Sequence, residues 1–350
     1  MKNILLAGYY GFGNLGDEAI LEMVLNQLFQ ITHRNNITVL SGNKKETSQK
    51  YNVNTIDRYN VFSILRKLMS SDALVFGGGS LLQDVTSKKS IYYYLFLIKL
   101  AHLMGNKVVM LSQGIGPIIN ERSRRLTAIN LNKVEFITVR DKQSKDFLVQ
   151  IGVLENKIHL SADPVINFRA EENLNYKNKD KKKVCFSLRN WKHTDVSEKI
   201  SQVVGMLNKQ NIECHFVPFY YNEDLDLVKQ IENNIGDNAV YYKERLSTNE
   251  AYDIIKEMDL LVGVRLHSLI FAAAANVPFV AISYDHKVDH FVESVNMNVV
   301  CNINDIDENI LYNEIIEKLE NEESEKLLLS KNVKKLRETI KINYKILKEI

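Results

Sequence analysis

The chain is short of cysteine, of charge of one sign and of long apolar runs, and each shortage excludes something. Its three cysteines, Cys185, Cys214 and Cys301, are odd in number and lack CxxC spacing. Neither a disulfide framework nor a thiolate zinc site is therefore expected. Two of them sit inside apolar strand-like runs and read as buried reduced thiols, which fits a cytoplasmic protein. Lysine and arginine number 45 against 43 aspartates and glutamates, a formal net charge of +2. A general nucleic-acid binder carries a strong basic excess, and this chain does not. No apolar run reaches the roughly eighteen residues that a membrane-spanning helix needs. The opening run Ile4-Leu5-Leu6-Ala7 is too short for a signal-peptide core and meets Gly8 at once, so it reads as a first strand. No fixed-period repeat of solenoid type is present.

What is present suits two globular domains: 350 residues, 45% hydrophobic and 25% charged. Short apolar runs alternate with amphipathic stretches. Strands are expected at 3–7, 37–40, 73–76, 107–112, 136–139 and 157–160, with helices between them, including 17–30, 91–104 and 143–151. That alternation predicts a parallel sheet covered on both faces. A polar stretch from Ala170 to Asp180 has no apolar period and reads as a linker. The alternation then restarts, with strands expected at 183–188, 213–217, 259–262 and 279–283. Helices are expected at 196–209, 223–231, 249–257, 268–275 and 287–293. The fold class expected is α/β: two Rossmann-like domains, 1–170 and 183–315, facing a cleft, with a helical tail at 316–350. The basic runs around Lys177–Lys183 and in the tail read as solvated faces. The amphipathic tail is compatible with packing on the first domain or with peripheral contact at an anionic membrane.

Gly11-Phe12-Gly13-Asn14-Leu15-Gly16 spells GxGxxG between a strand and a helix. A dinucleotide site also needs an acidic residue at the end of the second strand, but the chain there reads Leu40-Ser41-Gly42-Asn43. Asp17 and Glu18 in the first helical turn suit the helix dipole and would repel a pyrophosphate. The segment reads instead as a tight turn that admits a substrate. Asn14 and Asp17 either hydrogen-bond a polyol there or cap the helix.

Ligands of parallel sheets bind beyond the carboxyl ends of the strands. Gly77-Gly78-Gly79-Ser80 and Gln113-Gly114-Ile115-Gly116-Pro117 follow two strands and read as tight turns that cradle an anion or a sugar. Arg140, Arg189 and Arg265 stand at three strand ends, either as salt-bridge partners or converging on an anion. His267 opens the next helix, either as a structural residue or placed to move protons. Lys287 adds either a point charge for phosphate or part of a surface loop.

These segments, with Phe76-Gly77-Gly78-Gly79-Ser80-Leu81-Leu82-Gln83-Asp84, Val139-Arg140-Asp141, Ala162-Asp163-Pro164, Arg265-Leu266-His267-Ser268 and Ser283-Tyr284-Asp285-His286-Lys287-Val288, occur in order from about residue 4 to residue 295. Together they resemble the polysaccharide pyruvyltransferases, closest to the CsaB type. The resemblance implies a GT-B-like pair of Rossmann domains, phosphoenolpyruvate as donor and a ketal-pyruvylated sugar as product. For the CsaB type the acceptor is an N-acetylmannosamine residue of a lipid-linked cell wall polysaccharide precursor, and the product anchors S-layer proteins. No cofactor and no metal is implied.

Carried over residue by residue, Arg140, His267 and Lys287 match the family's functional positions, and Arg265 lies in the same motif. In that reading Arg140, Arg265, Lys287 and Arg189 bind phosphoenolpyruvate, and His267 and Arg140 serve catalysis. Gly13, Asn14, Asp17, Gly78, Gly79, Asp84 and Gln113 hold the acceptor. The partners expected are the donor and the glycan, with no nucleic acid. Two other readings of the same residues stand beside it: a nucleotide-sugar glycosyltransferase of this fold, and a non-catalytic binder of anions or glycans.

Overall fold

The computed structural model describes residues 2–85, 88–170, 181–192 and 194–350. The linker expected at 170–180 falls, beyond Ala170, on 171–180, outside the described residues. The chain divides into two units by contact, one of 1–12, 17–164 and 336–350, the other of 13–16 and 165–335.

The first unit runs β1 (Ile4–Tyr10), α1 (Leu15–Leu28), β2 (Ile37–Ser41), α2 (Lys44–Tyr51), β3 (Asn54–Asp57), α3 (Val61–Leu68) and β4 (Ala73–Leu82). It continues with α4 (Lys88–Leu103), β5 (Lys107–Ile115), α5 (Glu121–Leu131), β6 (Phe136–Val139), α6 (Lys142–Gln150) and β7 (Ile158–Leu160). Its sheet has the order β3-β2-β1-β4-β5-β6-β7. Every pair is parallel.

The second unit holds β8 (Lys183–Ser187), α7 (Ser197–Lys209), β9 (Glu213–Phe216), α8 (Tyr221–Ile235), β10 (Val240–Tyr241) and α9 (Thr248–Lys256). Then come β11 (Leu260–Gly263), α10 (Leu266–Ala274), β12 (Phe279–Ser283), α11 (His286–Ser294), β13 (Val299–Asn302) and α12 (Glu308–Glu320). Its sheet order, β10-β9-β8-β11-β12-β13, repeats the first six places of the first sheet, again all parallel. In each, the strand order reverses direction between a central pair: β1 and β4, and β8 and β11. That switch is where open parallel sheets bind ligands.

The central strands are apolar throughout because helices cover both faces, so no side chain is spared burial. Ile4, Leu5, Leu6 and Ala7 are all buried, as are Leu260, Leu261 and Val262. Two segments expected as turns are strand instead. β4 runs on through Gly77–Gly79 to Leu82, and β5 through Gln113 and Gly114 to Ile115. They pair with one another there, Gly77 with Leu111 and Gly79 with Gln113, with an irregularity before Leu82 and Ile115. Pairing with a neighbouring strand overrides the turn preference of glycine, which here makes a bulge.

The expected single tail is three helices, α12, then α13 (Glu322–Thr339) and α14 (Lys341–Glu349). The last belongs to the first unit. Asn343 holds it there, fully buried. Its side-chain oxygen accepts from Thr138 Oγ1 at 2.7 Å and Ser161 Oγ at 3.2 Å, and its amide donates to Ser112 Oγ at 2.7 Å. One amide thus satisfies hydroxyls from β5, β6 and the segment after β7. Asn343→Leu fills the space and strands those hydroxyls, so it is expected to cost about 3 kcal/mol. A denaturant titration that shows an unchanged midpoint contradicts this account.

Candidate active site

The strand ends of the second sheet gather three cations around one phenol. Arg189 lies two residues beyond β8, Arg265 caps α10 just beyond β11, and Lys287 lies in the first turn of α11 after β12. The guanidinium carbon of Arg189 stands 5.1 Å from the centroid of the Tyr284 ring, and Lys287 Nζ stands 5.2 Å from it. Trp191 packs edge-on against the same ring at 4.8 Å. Burial alone pushes the Tyr284 phenol up. Lys287, Arg265 and Arg189 outweigh that and bring it below its ordinary 10.0.

Each cation already has a carboxylate. Arg265 grips both oxygens of Asp224, with Nε at 3.2 and 3.1 Å, and its Nη2 also donates to Glu223 at 2.8 Å. Asp224 is fully buried and accepts from the backbone N–H of Phe219 and Tyr220 as well. Burial disfavours the charge of Arg265, but these carboxylates more than offset it. Arg189 Nη2 meets Glu223 at 3.2 Å, and Lys287 meets Asp285 at 3.4 Å. The three acids differ in commitment. Asp224 is sealed in, whereas the Glu223 side chain is 45% exposed and bridges the two arginines from the solvent side. It is the counterion that an incoming anion displaces at least cost.

His267 is the second residue of α10 and half-buried. Beside it lies the loop 13–16, which belongs to this unit. Leu15 N–H donates to Phe219 O at 3.0 Å, and Asn14 pairs with Tyr220 in an isolated bridge. Asn14 Oδ1 accepts from Gly16 N–H at 3.0 Å, so it shapes the loop. A Cβ on Gly16 would stand 2.1 Å from His267 Nδ1. The third glycine of the GxGxxG segment therefore makes room for an imidazole. A Cβ on Gly13 would lie 3.3 Å from the guanidinium of Arg245. Arg245 was not foreseen, because it stands in a polar loop with no motif around it.

In the first unit, Arg140 follows β6 and is buried. It donates to Asp163 Oδ2 at 3.1 Å and Ser80 Oγ at 3.0 Å and stands 3.6 Å from Asp141. Two carboxylates around one guanidinium leave a local surplus of negative charge. Gly114 passes so close that a Cβ would lie 2.7 Å from the guanidinium. Gly78 and Gly79 lie inside β4 at positive φ, and a Cβ on Gly79 would stand 3.7 Å from Asp17 Oδ1, in the first turn of α1. Two expected acceptor contacts are occupied within the fold. Gln113 is fully buried and donates to Leu111 O at 3.0 Å and Phe76 O at 3.4 Å. Asp84 is buried and accepts from the N–H of Ile119 at 2.7 Å and of Asn120 at 3.0 Å.

Arg58 is a second residue that sequence reasoning passed over. It is buried, donates to Gly8 O at 3.2 Å and Tyr94 Oη at 3.0 Å, and lies within 5.0–5.7 Å of the ring centroids of Tyr9, Phe12, Tyr59, Tyr93 and Tyr94. Cation–π attraction holds its charge where no carboxylate among the described residues does. Among the described residues no group of three or more His, Cys, Asp or Glu is placed to hold a metal ion.

Residues 14–286 match the model of the family described as polysaccharide pyruvyl transferase. The chain is 22% identical over 251 residues to the amylovoran biosynthesis protein AmsJ of Erwinia amylovora, covering 63% of this chain and 59% of that one. It is also 22% identical over 175 residues to an uncharacterized glycosyltransferase of Methanocaldococcus jannaschii, covering 47% and 45%. The chain thus spans about half the length of the curated relatives it matches. Among solved structures, the S. aureus MnaA–UDP co-structure aligns with a TM-score of 0.67 at 12% identity, over 94% of this chain and 91% of that one. HepE of Anabaena in complex with UDP-glucose aligns with a TM-score of 0.64 at 10% identity, over 100% and 98%. At these identities the likeness is one of fold: two Rossmann-like α/β domains of GT-B-like kind, with a helical tail.

Tyr284 gives the cation cluster a spectroscopic signature. Its folded pKa is depressed, so the phenolate forms in the native chain below pH 10.0, and the stability it contributes grows as pH rises through the folded value. Ultraviolet titration of the native protein should show an early tyrosinate component that Tyr284→Phe deletes. An identical titration curve for that variant refutes the clustering.

Proposed function

Because the chain belongs to the polysaccharide pyruvyl transferase family, we propose that it moves a pyruvyl group from phosphoenolpyruvate onto a sugar of a surface polysaccharide precursor and releases phosphate. The finer assignment, N-acetylmannosamine on a lipid-linked secondary cell wall precursor as in the CsaB type, is part of the same proposal. The observation that carries the donor assignment is the meeting of Arg189, Arg265 and Lys287 around Tyr284. Guanidinium forks and an ammonium suit a small molecule bearing a carboxylate and a phosphate.

In the proposed reaction, the donor anion replaces Glu223 on Arg189 and Arg265, while Asp224 keeps Arg265 oriented. A proton is added to the methylene carbon of the enol, leaving a cationic centre on the carbon that bears carboxylate and phosphate. One sugar hydroxyl attacks that carbon and loses its proton. The carbon–oxygen bond to phosphate breaks, and a second hydroxyl of the same sugar closes the ketal and loses its proton. His267, held against Gly16, is the group assigned to these proton transfers. Arg140 stays proposed for donor binding and catalysis, with Asp163 and Asp141 more than balancing its charge. Gly13, Asn14, Asp17, Gly78, Gly79, Asp84 and Gln113 stay the residues proposed to meet the acceptor.

The experiment is phosphate release from phosphoenolpyruvate, with and without a synthetic N-acetylmannosamine lipid diphosphate, together with the mass of the glycan. Release that depends on acceptor, with the matching gain in mass, is expected. His267→Ala should keep the fold and lose about 10²–10⁴-fold in turnover. Glu223→Gln removes the competing carboxylate charge and should tighten donor binding several-fold, on the order of one kcal/mol discounted for its exposure. No donor binding to the folded protein sinks this reading and leaves the nucleotide-sugar transferase.

A further inference from the structure

Of the nineteen large hydrophobic side chains exposed among the described residues, eleven fall between Tyr59 and Ile129. They mark one side of the first unit, where α3, α4 and α5 lie. Ile64 and Leu68 of α3 share a core with Ile91, Leu95 and Ile98 of α4. Tyr93 of α4 donates to Arg58 O, just before α3, at 2.7 Å, and Tyr92 of α4 accepts from Ser123 Oγ of α5 at 3.2 Å. The three helices are therefore side by side on one sheet face.

The outward stripe of α4 reads Lys89, Tyr92, Phe96, Lys99 and Leu103, at spacings of three and four. A helix that buries one face normally turns polar residues outward; this one turns out only lysines and apolar groups. α3 does the same, with Phe62 76% exposed, then Arg66, then Met69 75% exposed just past its end. Ile119 and Ile129 are exposed before and along α5, with Arg122 and Arg125 outward between them. The three helices carry eight lysines and arginines and a single acid, Glu121. The chain as a whole is balanced at 45 to 43, so the bias belongs to this face.

We propose that the α3–α4–α5 face docks on an anionic lipid bilayer, with Phe62, Phe96 and Leu103 entering the headgroup boundary and the basic side chains meeting lipid phosphates. Apolar side chains interleaved with one sign of charge fit an interface that is oily below and negative above. A second copy of the chain would bring the same positive charge and repel it. The last helix of the tail, whose basic pattern invites the same role, has its apolar side engaged: Ile346 and Leu347 of α14 are buried. The surface argument is independent of the reaction proposed above. Among the described residues no helix is long and apolar enough to cross a membrane, so the contact is peripheral.

The test is sedimentation of the full chain with vesicles of phosphatidylglycerol or of phosphatidylcholine, over a range of salt. Binding to phosphatidylglycerol that weakens with salt, and little binding to phosphatidylcholine, is expected. Arg66→Glu and Lys99→Glu should each weaken it about fivefold or more, and Phe62→Ser with Phe96→Ser about tenfold or more. The tail variant Lys341→Glu, Lys345→Glu, Lys348→Glu should bind as wild type. All of these positions are exposed, and circular dichroism verifies each fold. No affinity for phosphatidylglycerol, or loss in the tail variant alone, overturns the proposal. A dimer that Phe62→Ser with Phe96→Ser dissociates, without vesicle affinity, assigns the face to a second copy instead.

Discussion

A parallel strand must be re-entered from the same edge each time, and nearly every feature of this molecule follows from that constraint. Each strand leaves the sheet at its carboxyl edge and each helix begins there, so strand–helix junctions accumulate along one rim. In the second unit the rim collects Arg189, Arg265, His267 and Lys287 from positions spread over about a hundred residues of chain. None of these residues is near another in sequence except Arg265 and His267. The sheet order, β8 beside β11 beside β12, is what makes them neighbours. The same constraint demands helices on both faces, and the outer sides of α3, α4 and α5 become the surface whose charge and apolarity are so unevenly shared.

The rim was legible in the sequence because its residues sit at fixed offsets from apolar runs. Its counterions were not. Asp224 and Glu223, which hold Arg265, belong to the first turn of α8, forty-one and forty-two residues earlier. No periodicity links them to the arginine; they arrive by the packing of one crossover on another. The omission matters chemically. Arg189, Arg265 and Lys287 read alone promise an anion site of charge +3, while the folded cluster is neutral once Glu223, Asp224 and Asp285 are counted. Under the proposed donor site, anion binding becomes exchange, in which the most exposed carboxylate leaves and the sealed one stays to keep the fork aimed. Arg140 tells the opposite story. Asp163 and Asp141 are both part of recognisable motifs around it, and their joint effect is to bind its charge inside the first unit.

Most elements were readable from alternating apolar runs, with errors at places where local preference and tertiary pairing disagree. α2 has the sequence KKETSQKY, too polar to show a helical period, and it forms because Asn43 caps it, accepting from Glu46 N–H, and because Thr47 and Tyr51 bury. β10 and β13 are edge strands, one two residues long and the other half-exposed, so the apolar pattern that marks central strands is absent from them. Gln113 and Asp84 read as ligand contacts because they stand beside glycines at strand ends. Both satisfy backbone groups where β4 and β5 continue as an irregular pair beyond their apolar cores. A polar side chain next to glycine is as useful for closing an irregular backbone as for meeting a substrate, and the sequence alone does not separate the two.

The GxGxxG segment shows how a motif can be right in place and different in reason. Strand, glycines and helix stand in the order a phosphate-binding turn requires, yet Asp17 and Glu18 follow immediately, and the Glu18 carboxylate accepts from Gly11 N–H at 2.8 Å. The N–H that would greet a phosphate is spent on an acid of the same chain. What the glycines provide is clearance. At Gly16 the missing Cβ admits the ring of His267, and at Gly13 it admits the guanidinium of Arg245. Backbone that yields space to a protonatable ring fixes that ring more rigidly than a side-chain contact would, because peptide planes cannot rotate away as rotamers do. The demand for glycine at position 16 is therefore a demand about the placement of His267, and it ties a turn near the start of the chain to a proton-transfer candidate some two hundred and fifty residues later.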